Sequence, residues 1–170
     1  MELMKIRLAE RHDCKDLWKW RNDRTTIANS YSKSSVSYPQ HLRWFTNIIK
    51  DPKSSIFIGY STKAKVKVGM IRFDKKDHNV TEVSINMAAQ FRGKGLGADL
   101  LGKAVAKISS SKVNHRLKAR VIVTNNNSKK FFKKCGFFES SIKNKTVYFS
   151  YHINEEDIST KMKIRDMKDN

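Results

Sequence analysis

The sequence predicts a single α/β domain built on a mixed, mostly antiparallel sheet, and three observations support this prediction. The 170 residues match the length of one domain, and 39% of them are apolar, which is enough for a buried core. Segments that alternate apolar and polar residues, as half-buried strands do, recur along the chain. One strand–helix–strand unit lies in the middle and requires a parallel pair within an otherwise antiparallel sheet.

The first half of the chain predicts one strand, two helices and a meander of three strands. Residues 4–8 alternate in hydropathy and predict the first strand. Apolar residues spaced by three and four predict a helix over residues 10–21, and the Ser- and Tyr-rich segment 28–38 predicts a loop. Ser37 and Pro39 mark the start of a second helix. Turn-like breaks separate the next three predicted strands, which cover residues 55–61, 65–74 and 79–88.

The second half predicts two helices and three strands. A glycine-rich turn over residues 92–97 leads into a helix whose apolar residues repeat every four positions. A strand over residues 117–123 follows, and then a short helix over residues 125–135 that Gly136 ends. The last predicted strand pair covers residues 137–141 and 146–153.

Charge and composition limit the classes of function. Thirty-five Lys and Arg residues against sixteen Asp and Glu residues give a net charge of +19 at pH 7. Such a field attracts nucleic acid, anionic membranes or phosphate-bearing small molecules, although a Lys-rich solvated surface alone would also produce it. No apolar run approaches the roughly 20 residues of a transmembrane helix, and the N-terminus lacks the apolar stretch of a signal peptide. These features, with two cysteines far apart in sequence, predict a cytoplasmic chain with a domain over residues 1–153 and a polar tail over residues 154–170.

The strongest local signal is the turn QFRGKGLG over residues 90–97, between a predicted strand and a predicted helix. Alternate glycines let the backbone turn tightly and bring amide groups close to a ligand. The helix N-terminus adds a partial positive charge, and Arg92 and Lys94 add full charges. The turn therefore suits a pyrophosphate, with a plain glycine-rich turn as the alternative. No P-loop pattern is present, and the dinucleotide pattern lacks its downstream acidic residue.

A third pattern fits this turn better and leads to a family resemblance. The coenzyme A pyrophosphate pattern of the GNAT N-acetyltransferases is Q/R-x-x-G-x-G/A at a strand-to-helix turn. A second pattern of that family is N-x-x-A/S-x-x-x-Y-x-x-x-G-F. The residues that match the two patterns are Gln90, Gly93, Gly95, Asn125, Ser128, Gly136 and Phe137. The chain therefore resembles the GNAT superfamily over about residues 4–151, which implies a mixed, mostly antiparallel seven-stranded sheet with a central splayed pair of parallel strands and about four flanking helices.

The resemblance implies that acetyl-CoA is the cosubstrate and that the chain needs no metal. In the family the pantetheine arm lies between two splayed strands, where unpaired backbone amides polarise the thioester carbonyl. The residues that the resemblance assigns to the coenzyme are Ile85, Asn86, Met87, Gln90, Arg92, Gly93, Lys94, Gly95, Leu96, Gly97, Asn125, Ser128 and Phe132. Asn125 also suits a helix N-cap, which is its alternative role. Four lysines on one side of the short helix could meet the nucleotide 3′-phosphate or form a solvated face: Lys129, Lys130, Lys133 and Lys134.

Glu82 is the candidate general base. An attacking ammonium must first lose a proton, and the family often has a carboxylate at the start of the first splayed strand. Glu82, Ser84 and Asn86 form a polar face on a strand that is expected to be central, where apolar faces are usual. An ordinary surface glutamate is the alternative. Phe132 departs from the family pattern, which often has a tyrosine there to protonate the leaving thiolate, so the sequence names no proton donor.

Candidate acceptor residues lie near the N-terminus. The run WRND over residues 20–23, the pattern H-x-x-W-F over residues 41–45 and the later Gly69 and RFD over residues 72–74 resemble the branch that acetylates amino groups of nucleotide-linked sugars, such as the enzymes of pseudaminic acid biosynthesis. The resemblance implies that a nucleotide diphosphate would meet Arg21 and stack on Trp20 or Trp44. The assigned acceptor residues are Trp20, Arg21, Asn22 and His41. Core packing is the alternative for the aromatic residues and for His41.

The predicted function is therefore acetyl-CoA-dependent N-acetylation of a primary amine, that of a nucleotide-linked amino sugar, by direct attack on the thioester. The alternatives are another amine acceptor (a protein N-terminus, a ribosomal protein or a polyamine), a basic nucleic-acid-associated binding module, and a non-catalytic coenzyme A sensor. The five histidines show no metal-ligand spacing. The expected partner is the small-molecule acceptor and not a membrane; the charge allows nucleic acid, and a homodimer is compatible with the sequence.

Overall fold

The computed structural model describes residues 4–61, 65–109 and 115–153. These residues form a seven-stranded sheet in the order β1-β2-β3-β4-β5-β7-β6, in which only β4 and β5 are parallel neighbours. The mixed, mostly antiparallel sheet predicted from the sequence is thus confirmed. The strands are β1 (Met4–Leu8), β2 (Ser54–Ser61), β3 (Val66–Lys75), β4 (Val80–Met87), β5 (His115–Ile122), β6 (Phe138–Lys143) and β7 (Thr146–Ile153).

Helices cover both faces of the sheet, but not evenly. One face packs against α1 and α3 around Leu17, Phe45 and Ile58, and the opposite face packs against α4 and α5 around Leu100 and Phe132. Short 3-10 turns precede α1 and follow β4. The α-helices of the described ranges are α1 (Cys14–Arg21), α2 (Arg24–Ala28), α3 (Tyr38–Ile48), α4 (Leu96–Ser109) and α5 (Asn126–Lys134).

Capping side chains set the starts of the helices. Ser37 accepts a hydrogen bond from the Gln40 amide at 3.4 Å, which begins α3 where the sequence predicts it. The helix predicted over residues 10–21 begins instead as a 3-10 turn and becomes α-helical at Cys14. Helix α2 was not predicted, because its two threonines and one isoleucine are weak helix formers. Asp23 compensates by accepting from the Thr26 amide at 3.2 Å as the N-cap.

Strands β4 and β5 separate soon after they meet. Their register contains three pairs, and the last joins Glu82 to Lys118. Beyond that point β4 continues to Met87 beside β3, and β5 continues to Ile122 beside β7. The edge of β4 over residues 83–87 that faces β5 therefore has no strand partner. This is the splayed parallel pair predicted from the resemblance, and it places a gap in the middle of the sheet.

A buried ion cluster ties the N-terminal turn to the sheet. The Asp13 carboxylate is fully buried. It accepts hydrogen bonds from Arg7 at 2.6 and 2.8 Å and from the Glu10 amide at 2.8 Å, and Lys67 lies 2.7 Å away. Burial by itself would raise the pKa of Asp13, but these donors outweigh it and hold the pKa well below its ordinary value. The cluster therefore joins β1, the 3-10 turn before α1, and β3.

Two sequence expectations concern what the fold lacks. Within the described ranges, no helix has the length and apolar character needed to cross a bilayer. The same residues contain no group of three or more His, Cys, Asp or Glu side chains that could hold a metal ion. The polar tail predicted over residues 154–170 lies outside the described residues.

Candidate active site

The two faces of β4 differ in chemistry, as its alternation predicts. Ile85 and Met87 pack their side chains against the core beneath α4, and both residues lie on the stretch of β4 that has no pairing with β5. Glu82, Ser84 and Asn86 lie on the face covered by α1 and α2. The Ser84 hydroxyl is buried with no hydrogen-bond partner among the described residues, and Asn86 accepts from Thr26 at 3.3 Å. A polar strip therefore lines the gap on the side away from α4.

The glycine-rich turn leaves its amides free. None of the backbone amides from Gly93 to Gly97 donates a hydrogen bond to a group of the described residues. Gly93 and Gly95 have φ angles of +73° and +77°, and a Cβ at either position would meet nothing within 4 Å. The glycines are therefore required by the backbone conformation. Open space lies beside a row of free amides at the N-terminus of α4, which is a site suited to an anion.

The other residues predicted for this turn have mixed environments. Lys94 is exposed, with its ammonium 5.7 Å from the Phe91 ring centroid. Leu96 packs against the core at the start of α4. Gln90 lies with Trp20 and Asp23 among the residues that line a cavity of about 520 Å³ between α1 and the end of β4. The cavity thus joins the turn to the acceptor side of the cleft.

Arg92 turns away from the free amides. Its guanidinium lies 2.6 Å from Asp23, donates to the Thr26 hydroxyl at 3.1 Å, and donates to the Met87 carbonyl at 3.0 Å. Burial opposes ionisation of Asp23, but the hydrogen bond from Arg92 and the cap amides lower its pKa overall. The residue predicted to bind the pyrophosphate therefore clamps the turn to the N-terminus of α2.

We expect Arg92→Ala to lower the free energy of unfolding by about 1–2 kcal/mol, because it removes charge-assisted hydrogen bonds that are only partly exposed. Lys94→Ala, in the same turn but without such partners, is the control and should stay within about 0.5 kcal/mol of the wild type. Chemical denaturation measures the change in the free energy of unfolding, and calorimetry measures the affinity of each variant for acetyl-CoA. Weaker coenzyme binding with unchanged stability would instead make Arg92 a pyrophosphate ligand.

Glu82 lies at the point where β4 and β5 separate, and two cationic side chains flank its carboxylate. Its Oε1 accepts from Arg120 Nε at 2.9 Å and Nη2 at 2.7 Å, and Oε2 lies 3.7 Å from the Lys76 ammonium. The hydrogen bonds to Glu82 raise the pKa of Arg120. The carboxylate is mostly enclosed, and Oε2 is the oxygen to which Arg120 does not donate.

The second motif builds α5 and the core. The Asn125 side chain accepts from the Ser128 amide at 3.0 Å, so it caps the helix, as its alternative role predicted. Phe132 is buried, with its ring packed against Phe131, Phe137 and Phe149. The structure places this predicted coenzyme residue within the core.

The lysines of α5 are not equivalent. Lys129 donates to the Val123 carbonyl at 2.5 Å, and Lys133 lies 3.2 Å from Glu139. Lys130 and Lys134 are exposed. These last two are therefore the lysines of α5 that remain available to a phosphate.

The predicted acceptor residues fall into two groups. Asn22 donates to the Val36 carbonyl at 2.8 Å and accepts from the Val36 amide at 2.7 Å, which fixes the loop before α3. Trp20 packs against the core beneath α1 and α3 and lines the cavity. Asn22 therefore has a structural role, and Trp20 combines packing with access to the cleft.

Arg21 and His41 lie close together at the ends of α1 and α3. Arg21 Nη2 donates to Ser32 at 3.0 Å, whereas Nη1 is buried without a partner among the described residues. His41 is buried and its Nε2 also lacks such a partner. Burial and the Arg21 charge lower the pKa of His41 and keep the ring neutral. Within the described residues, one buried nitrogen of Arg21 and one of the neutral His41 ring therefore have no hydrogen-bond partner.

Several residues of the cleft were not predicted. Arg120 and Thr26 reach it only through tertiary contacts, although the outward position of Arg120 on an alternating strand was a usable signal. Asp23 belongs to the WRND run, but its contact with Arg92 was not predicted. Tyr148 of β7 is the cross-strand neighbour of Arg120 on β5. The ring of Tyr31, from the loop before α3, lies 6.0 Å from the Arg120 guanidinium.

Comparisons with known proteins agree with this architecture. A spermidine N-acetyltransferase from Vibrio cholerae, solved with CoA and spermine, is 18% identical over 88% of this chain and 95% of its own, with a TM-score of 0.74. A domain from Methanocaldococcus jannaschii is 16% identical over 90% and 100% of the two chains, with a TM-score of 0.78. The aminoglycoside acetyltransferase AAC(6′)-Ib, solved with coenzyme A, is 15% identical over 88% and 95%, with a TM-score of 0.74. These similarities show the fold.

The sequence comparisons supply the family. A search of curated protein sequences found no match. The profile of the acetyltransferase (GNAT) family matches residues 14–137, which is well over half of the chain. The splayed strands and the turn of free amides described above lie within that match. The chain therefore belongs to the acetyltransferase (GNAT) family and is an N-acetyltransferase that uses acetyl-CoA as its cosubstrate.

Proposed function

We propose that the acceptor is the primary amine of a nucleotide-linked amino sugar and that Glu82 is the general base. Acetyl-CoA supplies the acetyl group as a thioester, whose carbonyl carbon the amine attacks with loss of the CoA thiolate. The free amides of residues 93–97 suit the pyrophosphate, and the unpaired edge of β4 suits the pantetheine arm. The residues of the chain therefore orient the two substrates and accept the proton of the amine.

Glu82 supports this mechanism by its position. It is the last residue of β4 that pairs with β5, so its carboxylate lies where the gap between the strands begins. An ammonium bound there can pass its proton to Oε2, directly or through a water, before the N–C bond forms and the C–S bond breaks. Arg120 holds the carboxylate in place through Oε1.

The charge of the acceptor side favours an anionic acceptor. Carboxylates on this side of the sheet have a cationic partner within hydrogen-bond distance: Asp16 with Lys67, Asp23 with Arg92, Asp74 with Arg72, and Glu82 with Arg120. A polyamine or an aminoglycoside would meet no unpaired carboxylate among them. Arg21 Nη1 is buried and donates to no described residue, and Arg72 Nε, although 2.9 Å from Asp74, also makes no hydrogen bond within the described ranges. A phosphate suits this donor set better than a second ammonium does.

The paired state of these carboxylates is the observation on which the choice of acceptor rests. The solved spermidine and aminoglycoside acetyltransferases act on polycations, and this chain shares their fold at 15–18% identity. Recognition of polycations commonly needs unpaired carboxylates, because each charge-assisted hydrogen bond to one contributes about 1.5–3 kcal/mol. On the acceptor side of this chain, basic side chains occupy the positions next to the carboxylates where the ammonium groups of a polycation would bind.

A thiol-release assay tests the proposal. The acceptors are a UDP-linked amino sugar, the same amino sugar without the nucleotide, spermidine, an aminoglycoside and a peptide N-terminus. We expect kcat/KM for the UDP-linked sugar to exceed that for spermidine on the order of 100-fold, as two charge-assisted contacts would give. Spermidine as the best acceptor would overturn the choice of substrate. Tight acetyl-CoA binding without thiol release from any acceptor would favour a coenzyme A sensor.

A further inference from the structure

Strand β5 carries a ladder of three cations on one face. Its side chains alternate between buried residues that join the core beneath α4 and α5 and outward residues that do not. The outward residues are Arg116, Lys118 and Arg120, and we call them the β5 ladder. Helices α1 and α3 cover this face of the sheet around β2 and β3, α1 and α2 reach β4, and α5 packs on the opposite face. Arg116 and Arg120 are exposed on this face and Lys118 is half-buried.

The ladder starts at the reaction site and leads away from the coenzyme turn. Arg120 binds Glu82, and Lys118 is the cross-strand neighbour of Glu82 where the strands part. Arg116 lies two residues further, or about 7 Å along the strand. Long side chains at this spacing can converge on one diphosphate. An acceptor with its amine at Glu82 would lay its distal part along these cations.

The charges of Lys118 and Arg116 are uncompensated. Arg120 is paired with Glu82, but no carboxylate of the described residues lies within ion-pair distance of the other two. Their cross-strand neighbours on β7 are Ser150 and His152, neither of which is acidic. An anion that binds here would displace no internal partner.

Aromatic rings flank the same face. Tyr31 is 57% exposed beside Arg120. Phe138 is 50% exposed and stacks in parallel on His152, with ring centroids 5.7 Å apart. Exposed flat rings beside phosphate-binding cations suit the base of a nucleotide, because every base offers an aromatic face for stacking.

We propose that Arg116 and Lys118 bind the diphosphate of the acceptor, a nucleoside diphosphate attached to the amino sugar. This inference rests on the proposed function and adds a subsite on β5 to the cleft beneath α1. A single-stranded RNA would meet the same cations and rings. The nucleotide is favoured because the ladder begins at Glu82, so the phosphates and the reacting amine would belong to one small molecule.

The test compares two double variants that each lose one Arg and one Lys. R116Q/K118Q removes the two unpaired cations of the ladder, and R43Q/K50Q removes two exposed cations of α3 and the residues after it. UDP is titrated into each protein in the presence of CoA. We expect UDP to bind about tenfold more weakly to R116Q/K118Q, with a weaker dependence on salt, and unchanged to R43Q/K50Q.

Kinetics with paired acceptors complete the test. R116Q/K118Q should raise KM for the UDP-linked amino sugar about tenfold with kcat retained, and leave the free amino sugar unaffected. Equal UDP affinity in wild type and R116Q/K118Q would overturn the subsite, and the proposed function would still stand if the UDP-linked sugar remained the best acceptor. RNA binding that R116Q/K118Q abolishes, without a change in UDP affinity, would assign the ladder to nucleic acid and overturn the inference.

Discussion

Glu82→Gln is expected to lower kcat by about 10²- to 10⁴-fold, the usual contribution of a positioned general base. Glutamine preserves the size of the side chain and can still meet Arg120, but it cannot take a proton from the attacking ammonium. The coenzyme turn does not touch residue 82, so acetyl-CoA affinity should stay within about twofold. A thiol-release assay measures kcat, and calorimetry with acetyl-CoA measures the coenzyme affinity.

Glu139→Gln is the matched control for this experiment. Glu139 lies on β6 and pairs with Lys133 of α5 at 3.2 Å, on an exposed part of the domain. Its turnover should equal that of the wild type. A Glu82→Gln variant that turned over at the same rate as Glu139→Gln would remove Glu82 from the chemistry. The open amide turn and the family match would be unaffected.

Asp13→Ala is expected to lower the free energy of unfolding by about 3 kcal/mol, because it removes the buried carboxylate that binds Arg7 and the Glu10 amide, whereas Lys67 retains Asp16 at 2.7 Å. For a chain of this length such a loss corresponds to a decrease in Tm of about 10 °C. Asp13 is fully buried within this cluster, whereas the Lys133–Glu139 pair is exposed. Glu139→Ala should therefore cost less than about 1 kcal/mol.

Acid should reduce the difference between Asp13→Ala and the wild type. The folded-state pKa of Asp13 is depressed, so the stabilisation is complete above the unfolded pKa of about 3.9 and is lost as the pH falls towards the folded pKa. Thermal unfolding followed by circular dichroism at pH 7 and at pH 3 gives the comparison. A stability gap that stayed constant across this range would show that the cluster stabilises through packing rather than through charge.

Local sequence patterns were sufficient for the strands and the turn, whereas the splay was implied by the family resemblance. Alternation assigned the polar face of β4, and two short motifs placed the free amides and the cap of α5 where the structure has them. These features depend on residues close in sequence, so a pattern can report them.

The partners of charged side chains could not be predicted in the same way. Arg92 was assigned to the pyrophosphate because it lies in the glycine-rich turn, yet its guanidinium contacts Asp23 at the N-terminus of α2. The link between Glu82 and Arg120 depends on the register of two parallel strands joined by a helix. Phe132 was assigned to the coenzyme through its motif position, whereas its ring packs among Phe131, Phe137 and Phe149 in the core. The contacts of Arg92, Glu82 and Phe132 therefore depend on residues far apart in the sequence, which local patterns do not report.

The contact between Arg92 and α2 limits how the enzyme can be redesigned. Grafting a foreign substrate-recognition segment in place of α2 would leave the guanidinium without Asp23 and Thr26 unless both residues were retained. The substrate-side helix α2, which would be exchanged for new specificity, is thus bonded to the coenzyme-side turn, which would be kept. Successful grafts should be those that transplant the anchor together with the segment.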